Sequence, residues 1–248
     1  MKAASVMNRE LPERGEGEAR ARRIVAGVVP AMALPFVASV FYFRLFPEAT
    51  AVWVLYGLTK LFTLVWPVVA VVLLEGARPR LEAMDWRRHW RAAPFGLLSG
   101  LLIGGVGVAA FELTPLGEYV RAHAGEIQRK VESLDILDHY IVYVACLSLI
   151  HSLLEEYYWR WYVFGRLAKV TAFAPAAVLA SLAFAAHHYV VLSAYFPAAG
   201  WLFFGTCVAI GGAFWCWLYR RQRTLVGAWM SHMMVDVAVF YIGYRLLF

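Results

Sequence analysis

Long apolar stretches alternate with short polar connections through most of the chain, and this pattern predicts membrane-spanning helices. The hydrocarbon core of a bilayer is about 30 Å thick, so a helix needs about 20 residues to cross it. The stretches that are long and apolar enough are 24–43, 51–74, 93–112, 139–165, 173–192, 199–219 and 225–244. We expect an all-α polytopic membrane bundle of about seven transmembrane helices, with eight as the alternative. Bends or breaks are expected in the fourth and fifth stretches.

Polar segments divide the rest of the chain. Residues 1–23 form a polar tail that lacks the apolar region of a signal peptide, and residues 24–248 form a single transmembrane bundle. Within the bundle, residues 113–138 combine mixed charges with apolar side chains at three- and four-residue spacings. This segment predicts an amphipathic helix on the extracytoplasmic surface, or else a solvated loop helix with no role. The chain has no internal repeat, which argues against the inverted-repeat layout of many transporters.

Composition supports a lipid environment. Hydrophobic residues make up 62% of the chain and charged residues 16%, against about 45–50% and about 25% in ordinary globular domains. A soluble protein of this size cannot bury so much apolar surface. The composition therefore excludes a disordered chain and a disulfide scaffold. We expect Cys146, Cys207 and Cys216, which all lie in apolar stretches, to be small buried side chains.

Basic residues are distributed unequally between the two sides of the predicted bundle. The tail and alternate connections hold sixteen Lys and Arg residues, whereas the opposite side holds five. The positive-inside rule then places the N-terminus in the cytoplasm and Phe248 outside, in a multi-pass protein of the cell membrane (the inner membrane in a bacterium). Basic clusters can also bind nucleic acid, but clusters beside a span usually fix topology. The expected partner is therefore the lipid bilayer and not nucleic acid.

Ionisable residues inside the predicted spans are the candidates for chemistry, because charge in lipid costs a few kcal/mol. They are the acids Glu155, Glu156 and Asp236 and the basic or titratable residues Lys60, His151, Arg160, His187, His188 and His232. Glu156 and Arg160 are one helical turn apart and can pair. Glu155 has no obvious partner in its own helix, so it is the candidate reactive acid. Alternatively, both glutamates only pair with basic groups on neighbouring helices.

The histidines lie on two later spans. Ser181, Phe184 and His188 share one face of the fifth stretch, while His187 points elsewhere. In the seventh stretch His232 and Asp236 are one turn apart, so Asp236 can hold the tautomer of His232. An imidazole oriented in this way makes a good donor to an oxyanion. The alternative for each histidine is a purely structural hydrogen bond.

Three motifs on these spans together resemble a known family. The sequences EEYYWR (155–160), FAAHH (184–188) and HMMVD (232–236) are similar to the EExxxR, FxxxH and HxxxN/D motifs of the CAAX prenyl protease and bacteriocin-processing (CPBP, or Abi) family. The resemblance covers about residues 140–240. It implies a CAAX-protease-like bundle with its catalytic core at about 139–244. It also implies a hydrolase of the intramembrane endopeptidase class.

The resemblance also implies roles for individual residues. Glu155 would be the catalytic glutamate and His188 its partner in activating water, while His232 and Asp236 would stabilise the oxyanion. Arg160 would be a structural arginine, supported by Glu156; His187 matches no family position. Two positions depart from the pattern. Trp161 replaces a glycine that often follows the motif arginine. Asp236 stands where prenyl proteases carry asparagine. This second difference affects the predicted role, because a carboxylate donates a hydrogen bond only when it is protonated.

A metal is the remaining question about the chemistry. Family members have been labelled metalloproteases, and Glu155, His188 and His232 would be the ligands of a Zn²⁺ ion. The chain lacks an HExxH motif, so we expect no cofactor, with Zn²⁺ as the alternative. His151 could join a metal set, although a hydrogen-bonded core role is expected.

The sequence thus predicts an intramembrane endopeptidase that uses an activated water to cut a membrane-associated peptide or protein. Two alternatives come from other classes of protein. One is a non-catalytic membrane interaction or immunity protein with the same fold, and the other is a transporter that uses the buried acid and histidine cluster.

Overall fold

The computed structural model describes residues 14–46, 51–79, 85–133 and 136–248, and the ordered elements in these residues are all helices. Seven of the helices are long and apolar enough to cross a membrane, which confirms the predicted all-α polytopic bundle. The spanning helices are α1 (Gly15–Leu45), α2 (Val54–Leu74), α3 (Trp86–Leu113), α6 (Leu137–Leu167), α7 (Phe173–Ser193), α8 (Ala198–Gln222) and α9 (Leu225–Leu247). Between α3 and α6 lie two short helices, α4 (Pro115–Ala122) and α5 (Ala124–Ser133).

The polar tail is partly helical. The helical backbone already begins at Arg14, ahead of the predicted span at residue 24. Glu16 and Arg20, like Glu18 and Arg22, are four residues apart, and such pairs stabilise a helix. The tail predicted over residues 1–23 therefore extends α1 instead of ending before it, and its first thirteen residues lie outside the described residues.

Over its described part up to residue 133, the segment predicted as one amphipathic helix over 113–138 folds as two helices. The imidazole of His123 lies 2.8 Å from the carbonyl oxygen of Tyr119, and this contact accompanies the end of α4. The guanidinium groups of Arg121 and Arg245 lie 3.3 and 2.6 Å from the two carboxylate oxygens of Glu112. These ion pairs connect α4 to the ends of α3 and α9.

The outer faces of the spans are apolar. Leu98, Leu102 and Val106, which follow one face of α3, are each more than 60% exposed. Cys146 and Cys207 are exposed as well, so the prediction that all three cysteines are buried holds for Cys216 alone. In lipid a small apolar side chain gains little by turning inward, because the surrounding chains are as apolar as the protein interior.

Small residues bring α3 and α9 into close contact. A Cβ atom on Gly100 would lie 2.8 Å from the Cα of Ser231, closer than real Cβ contacts come. The Ser99 hydroxyl also donates to the Ser231 hydroxyl over 3.2 Å. This contact fixes α9 at the position of His232, the next residue along that helix.

The helix α6 is irregular, in line with the expectation for the fourth stretch, whereas α7 is one unbroken α-helix, so a break in the fifth stretch is not found. Two π-helical segments, Leu147–His151 and Tyr157–Phe164, lie on either side of an α-helical turn, Ser152–Glu156. π-Helical segments inside α-helices occur frequently at functional sites. Here they enclose the two adjacent glutamates.

Candidate active site

Glu155 lies at the centre of a group of histidines. Its Oε1 is 3.3 Å from Nε2 of His151 and 3.6 Å from Nε2 of His187, and its Oε2 is 3.8 Å from Nε2 of His232. The expectation that Glu155 lacks a partner in its own helix was wrong, because His151 precedes it by one turn and reaches its carboxylate. Since the side chain of Glu155 remains 12% exposed, a water molecule can reach it.

Glu156 and Arg160 form the ion pair that their spacing predicts. Arg160 Nη1 lies 3.1 Å from Glu156 Oε1, and both side chains are at most 1% exposed. The guanidinium group also lies 4.5 Å from the ring centre of Phe184 and 5.0 Å from that of Trp215. A desolvated charge requires such compensation, and the pair and the aromatic faces supply it.

Glu156 has a second partner that the sequence does not reveal. Nδ1–H of His232 donates to Glu156 Oε1 over 2.8 Å, whereas Nε2 of His232 is 3.5 Å from Oδ1 of Asp236. The imidazole stacks on Trp215 with the ring centres 4.1 Å apart. Glu156 therefore holds the tautomer of His232, and the prediction that Asp236 does so is corrected. Asp236 faces the other ring nitrogen, the one that points to Glu155.

His188 is oriented by the backbone of α7. Its Nδ1–H donates to the carbonyl oxygen of Phe184 over 3.0 Å. A carbonyl oxygen only accepts hydrogen bonds, so Nδ1 carries the proton and Nε2 keeps its lone pair in the neutral ring. One donor atom from each of Glu155, His187 and His188 lies within 4.8 Å of the others. A single water molecule can bridge atoms at such distances.

His187 is the site residue that the motifs left out. It stacks on Trp159, with ring centres 5.8 Å apart, and it contacts Glu155 directly. It also lies beside His188, with the two ring centres 4.0 Å apart. The signal that could have found it is the presence of two adjacent histidines in the middle of an apolar span.

A hollow opens beside Glu155 between α1, α2, α6 and α7. The empty space between its lining side chains is about 450 Å³, a volume that includes the solvent at its open side. The polar side chains lining it include Tyr42, Thr59, Lys60, His151, Glu155 and His187. The hollow gives the carboxylate of Glu155 access to a ligand that enters from between the helices.

The donor atoms best grouped for a metal, among the described residues, are those of Glu155, His187 and His188. The predicted set had His232 in place of His187. Two imidazole nitrogens and a carboxylate oxygen are ligands that Zn²⁺ accepts. The residues present therefore fit a zinc ion by the type of their donor atoms.

Comparison with known proteins finds a family similar to the segment that carries this site. Residues 137–238 match the family model described as type II CAAX prenyl endopeptidase Rce1-like. The match runs from the first residue of α6 into α9 and includes all three motifs, while curated proteins and solved structures gave no match. The matched family is one of peptidases, and with seven apolar helices the chain is a multi-pass membrane protein. The segment 137–238 is therefore similar to the Rce1-like family, in agreement with the resemblance found in its motifs.

Proposed function

We propose that the protein is an intramembrane endopeptidase that hydrolyses a peptide bond of a membrane-associated peptide or protein. The observation that supports this proposal best is the convergence of a carboxylate and two oriented imidazoles, Glu155, His188 and His232, beside a hollow between spans. Peptide hydrolysis needs an activated water, donors for the oxyanion and a proton for the leaving amine. These three residues can meet all of those needs.

The first step is attack by water. Glu155 accepts a proton from a water molecule that also donates to Nε2 of His188. The water oxygen bonds to the carbonyl carbon of the substrate while the carbonyl π electrons move onto its oxygen. Because Nδ1 of His188 is held by the Phe184 carbonyl, Nε2 faces the water in a fixed orientation.

The second step is collapse of the tetrahedral intermediate. His232 donates through Nε2 to the oxyanion. Because Nδ1–H is bound to Glu156, this requires the doubly protonated ring, for which Glu156 provides the counter-charge. The bond from carbon to nitrogen then breaks, the carbonyl re-forms, and the proton held by Glu155 passes to the leaving amine. All groups return to their starting states.

Asp236 supports the oxyanion site, and two substitutions test its part. Asp236→Asn is expected to keep kcat within about tenfold of the wild type, because an amide N–H donates where a carboxylate must first be protonated. Asp236→Leu is expected to lower kcat by about 100-fold, the usual loss for one oxyanion donor. Steady-state hydrolysis of a membrane-tethered peptide measures both. Equal losses in the two variants would mean that only the charge of Asp236 matters, acting on His232.

Hydrolysis is expected to proceed without a metal. Oε1 of Glu155 already faces the imidazoles of His151 and His187, and Glu156 and Arg160 neutralise each other. If a Zn²⁺ ion bound, Glu155, His187 and His188 would hold it, and it would acidify a bound water. Prolonged treatment with a chelator should therefore leave kcat unchanged. Loss of activity that Zn²⁺ restores and Mg²⁺ does not would contradict this expectation.

The substrate is expected to enter from the bilayer, because the hollow lies between spanning helices. The excess of basic residues on one side favours a cytoplasmic N-terminus. The test of the proposed function is hydrolysis itself: the full chain in liposomes is incubated with a library of membrane-tethered peptides, and products are identified by mass spectrometry. A chain that binds such peptides without cutting any of them would be an interaction protein.

A further inference from the structure

We propose that Lys60 and His151 are a positioning pair that holds the carboxylate of Glu155 in the orientation needed for hydrolysis. The inference rests on the proposed function and deepens it. Lys60 belongs to α2, outside the matched segment 137–238. The active site would thus depend on the first half of the chain as well as on the family segment.

Three polar side chains form a continuous series from α2 to the site. Nζ of Lys60 lies 3.1 Å from Nδ1 of His151, and Nε2 of His151 lies 3.3 Å from Oε1 of Glu155. All three side chains line the hollow. The series therefore connects two spanning helices through the residue assigned to water activation.

Donor and acceptor chemistry fixes the direction of the series. A lysine ammonium group has only donors, so Nδ1 of His151 must accept and cannot carry a proton. The remaining proton of the neutral ring then lies on Nε2, which donates to Glu155. Lys60 in this way selects the tautomer of His151 that can hold the carboxylate.

This arrangement leaves one oxygen of the Glu155 carboxylate available to accept a proton from water. Oε1 of Glu155 faces His151 and His187, whereas Oε2 faces His232. Without a donor at His151, the carboxylate can rotate about its terminal bond and exchange its oxygens. A misplacement of about 1 Å in a catalytic group can cost about 100-fold in rate.

The cost of placing a lysine inside a span supports a role for Lys60. A lysine at the middle of a spanning helix costs a few kcal/mol, and such residues commonly serve function. Glu155 contacts histidines and does not pair directly with Lys60, whose ammonium lies against His151 and 5.2 Å from the ring centre of Tyr56. A lysine that only balanced charge would be expected to contact the carboxylate itself.

Kinetics of four variants test the pair. Lys60→Met and His151→Leu are each expected to lower kcat by about 100-fold with KM unchanged, because a misplaced carboxylate affects the reaction more than binding. The double variant is expected to be no slower than the slower single variant, because both changes break the same series. Lys60→Arg, which keeps a donor, should recover activity to within about tenfold of the wild type.

Lys169→Met serves as the matched control, since it makes the same change at a lysine near Glu75, away from the site. It should leave kcat unchanged. Thermal unfolding of every variant separates a loss of fold from a loss of positioning. Multiplicative losses in the double variant, or full activity in Lys60→Met, would overturn the inference while leaving the proposed function standing.

A second measurement does not depend on activity. In protein with ¹⁵N-labelled histidine rings, the resonances of His151 are assigned by their absence from His151→Leu. We expect Nδ1 unprotonated and Nε2 protonated in the wild type, with this preference lost in Lys60→Met. If the wild type hydrolyses nothing, the proposed function fails, and the protonation of the two His151 nitrogens alone tests whether Lys60 and His151 form the pair. A proton on Nδ1 of His151 in the wild type would overturn the inference.

Discussion

Replacing Glu155 by glutamine is expected to lower kcat by about 10⁴-fold, the upper range for loss of a general base. Glutamine has nearly the shape of glutamate, so it can keep the contacts with His151 and His187 while losing the ability to take a proton from water. KM should change little, because the carboxylate acts on water and not on the bound peptide. Steady-state hydrolysis of a membrane-tethered peptide in liposomes measures both constants.

Two companion variants sharpen this test. Glu112→Gln makes the same chemical change at the surface, where Glu112 contacts Arg121 and Arg245, and it should hydrolyse the peptide at the wild-type rate. Glu155→Asp keeps a carboxylate but withdraws it by one methylene, so an intermediate rate is expected. If Glu155→Gln cleaves as fast as the wild type, Glu155 is not the base and the proposed mechanism is wrong.

Replacing Arg160 by methionine is expected to lower the free energy of unfolding by about 3–5 kcal/mol, the cost of leaving one partner of a buried ion pair uncompensated. Glu156, which is fully buried, would keep only the hydrogen bond from His232. Methionine can still pack against Phe184 and Trp215, so the loss reports on charge more than on volume. Unfolding in mixed detergent micelles, followed by the tryptophan fluorescence, measures the change.

The exposed pair of Arg121 and Glu112 provides the contrast. Arg121→Met should lower the free energy of unfolding by about 1 kcal/mol at most, because exposed ion pairs contribute little. Adding Glu156→Gln to Arg160→Met should recover part of the stability, since it removes the unpaired charge. If Arg160→Met is as stable as Arg121→Met, the buried pair does not support the fold.

The features that sequence predicts correctly are local ones. The seven spans follow from apolar length alone, and the pairing of Glu156 with Arg160 follows from a four-residue spacing on one helix. The break between α4 and α5 lies within a segment whose amphipathic pattern is uniform, so the sequence gives no signal of a break there. In α6 the sequence predicts a bend or break, but it gives no signal for the π-helical turns that form there.

The contacts that sequence could not predict join distant parts of the chain. His232 and Glu156 are 76 residues apart, and Lys60 and His151 are 91 residues apart. Spacing along one helix says which side chains share a face, but not which face another helix presents to them. For this reason Asp236, the local neighbour, was predicted as the partner of His232 in place of Glu156.

The wide turns of α6 have a consequence for comparing this helix with others. A π-helical turn holds more residues than an α-helical one, so deleting one residue from Tyr157–Phe164 could restore a regular α-helix. Because the wide turn accommodates the extra residue, the later residues would keep their facing, and Arg166, now 3.0 Å from Glu75, would still reach that carboxylate. A one-residue gap at this point of an alignment therefore marks the loss of a π-helical turn, and it leaves both the glutamates upstream and the junction with Glu75 in register.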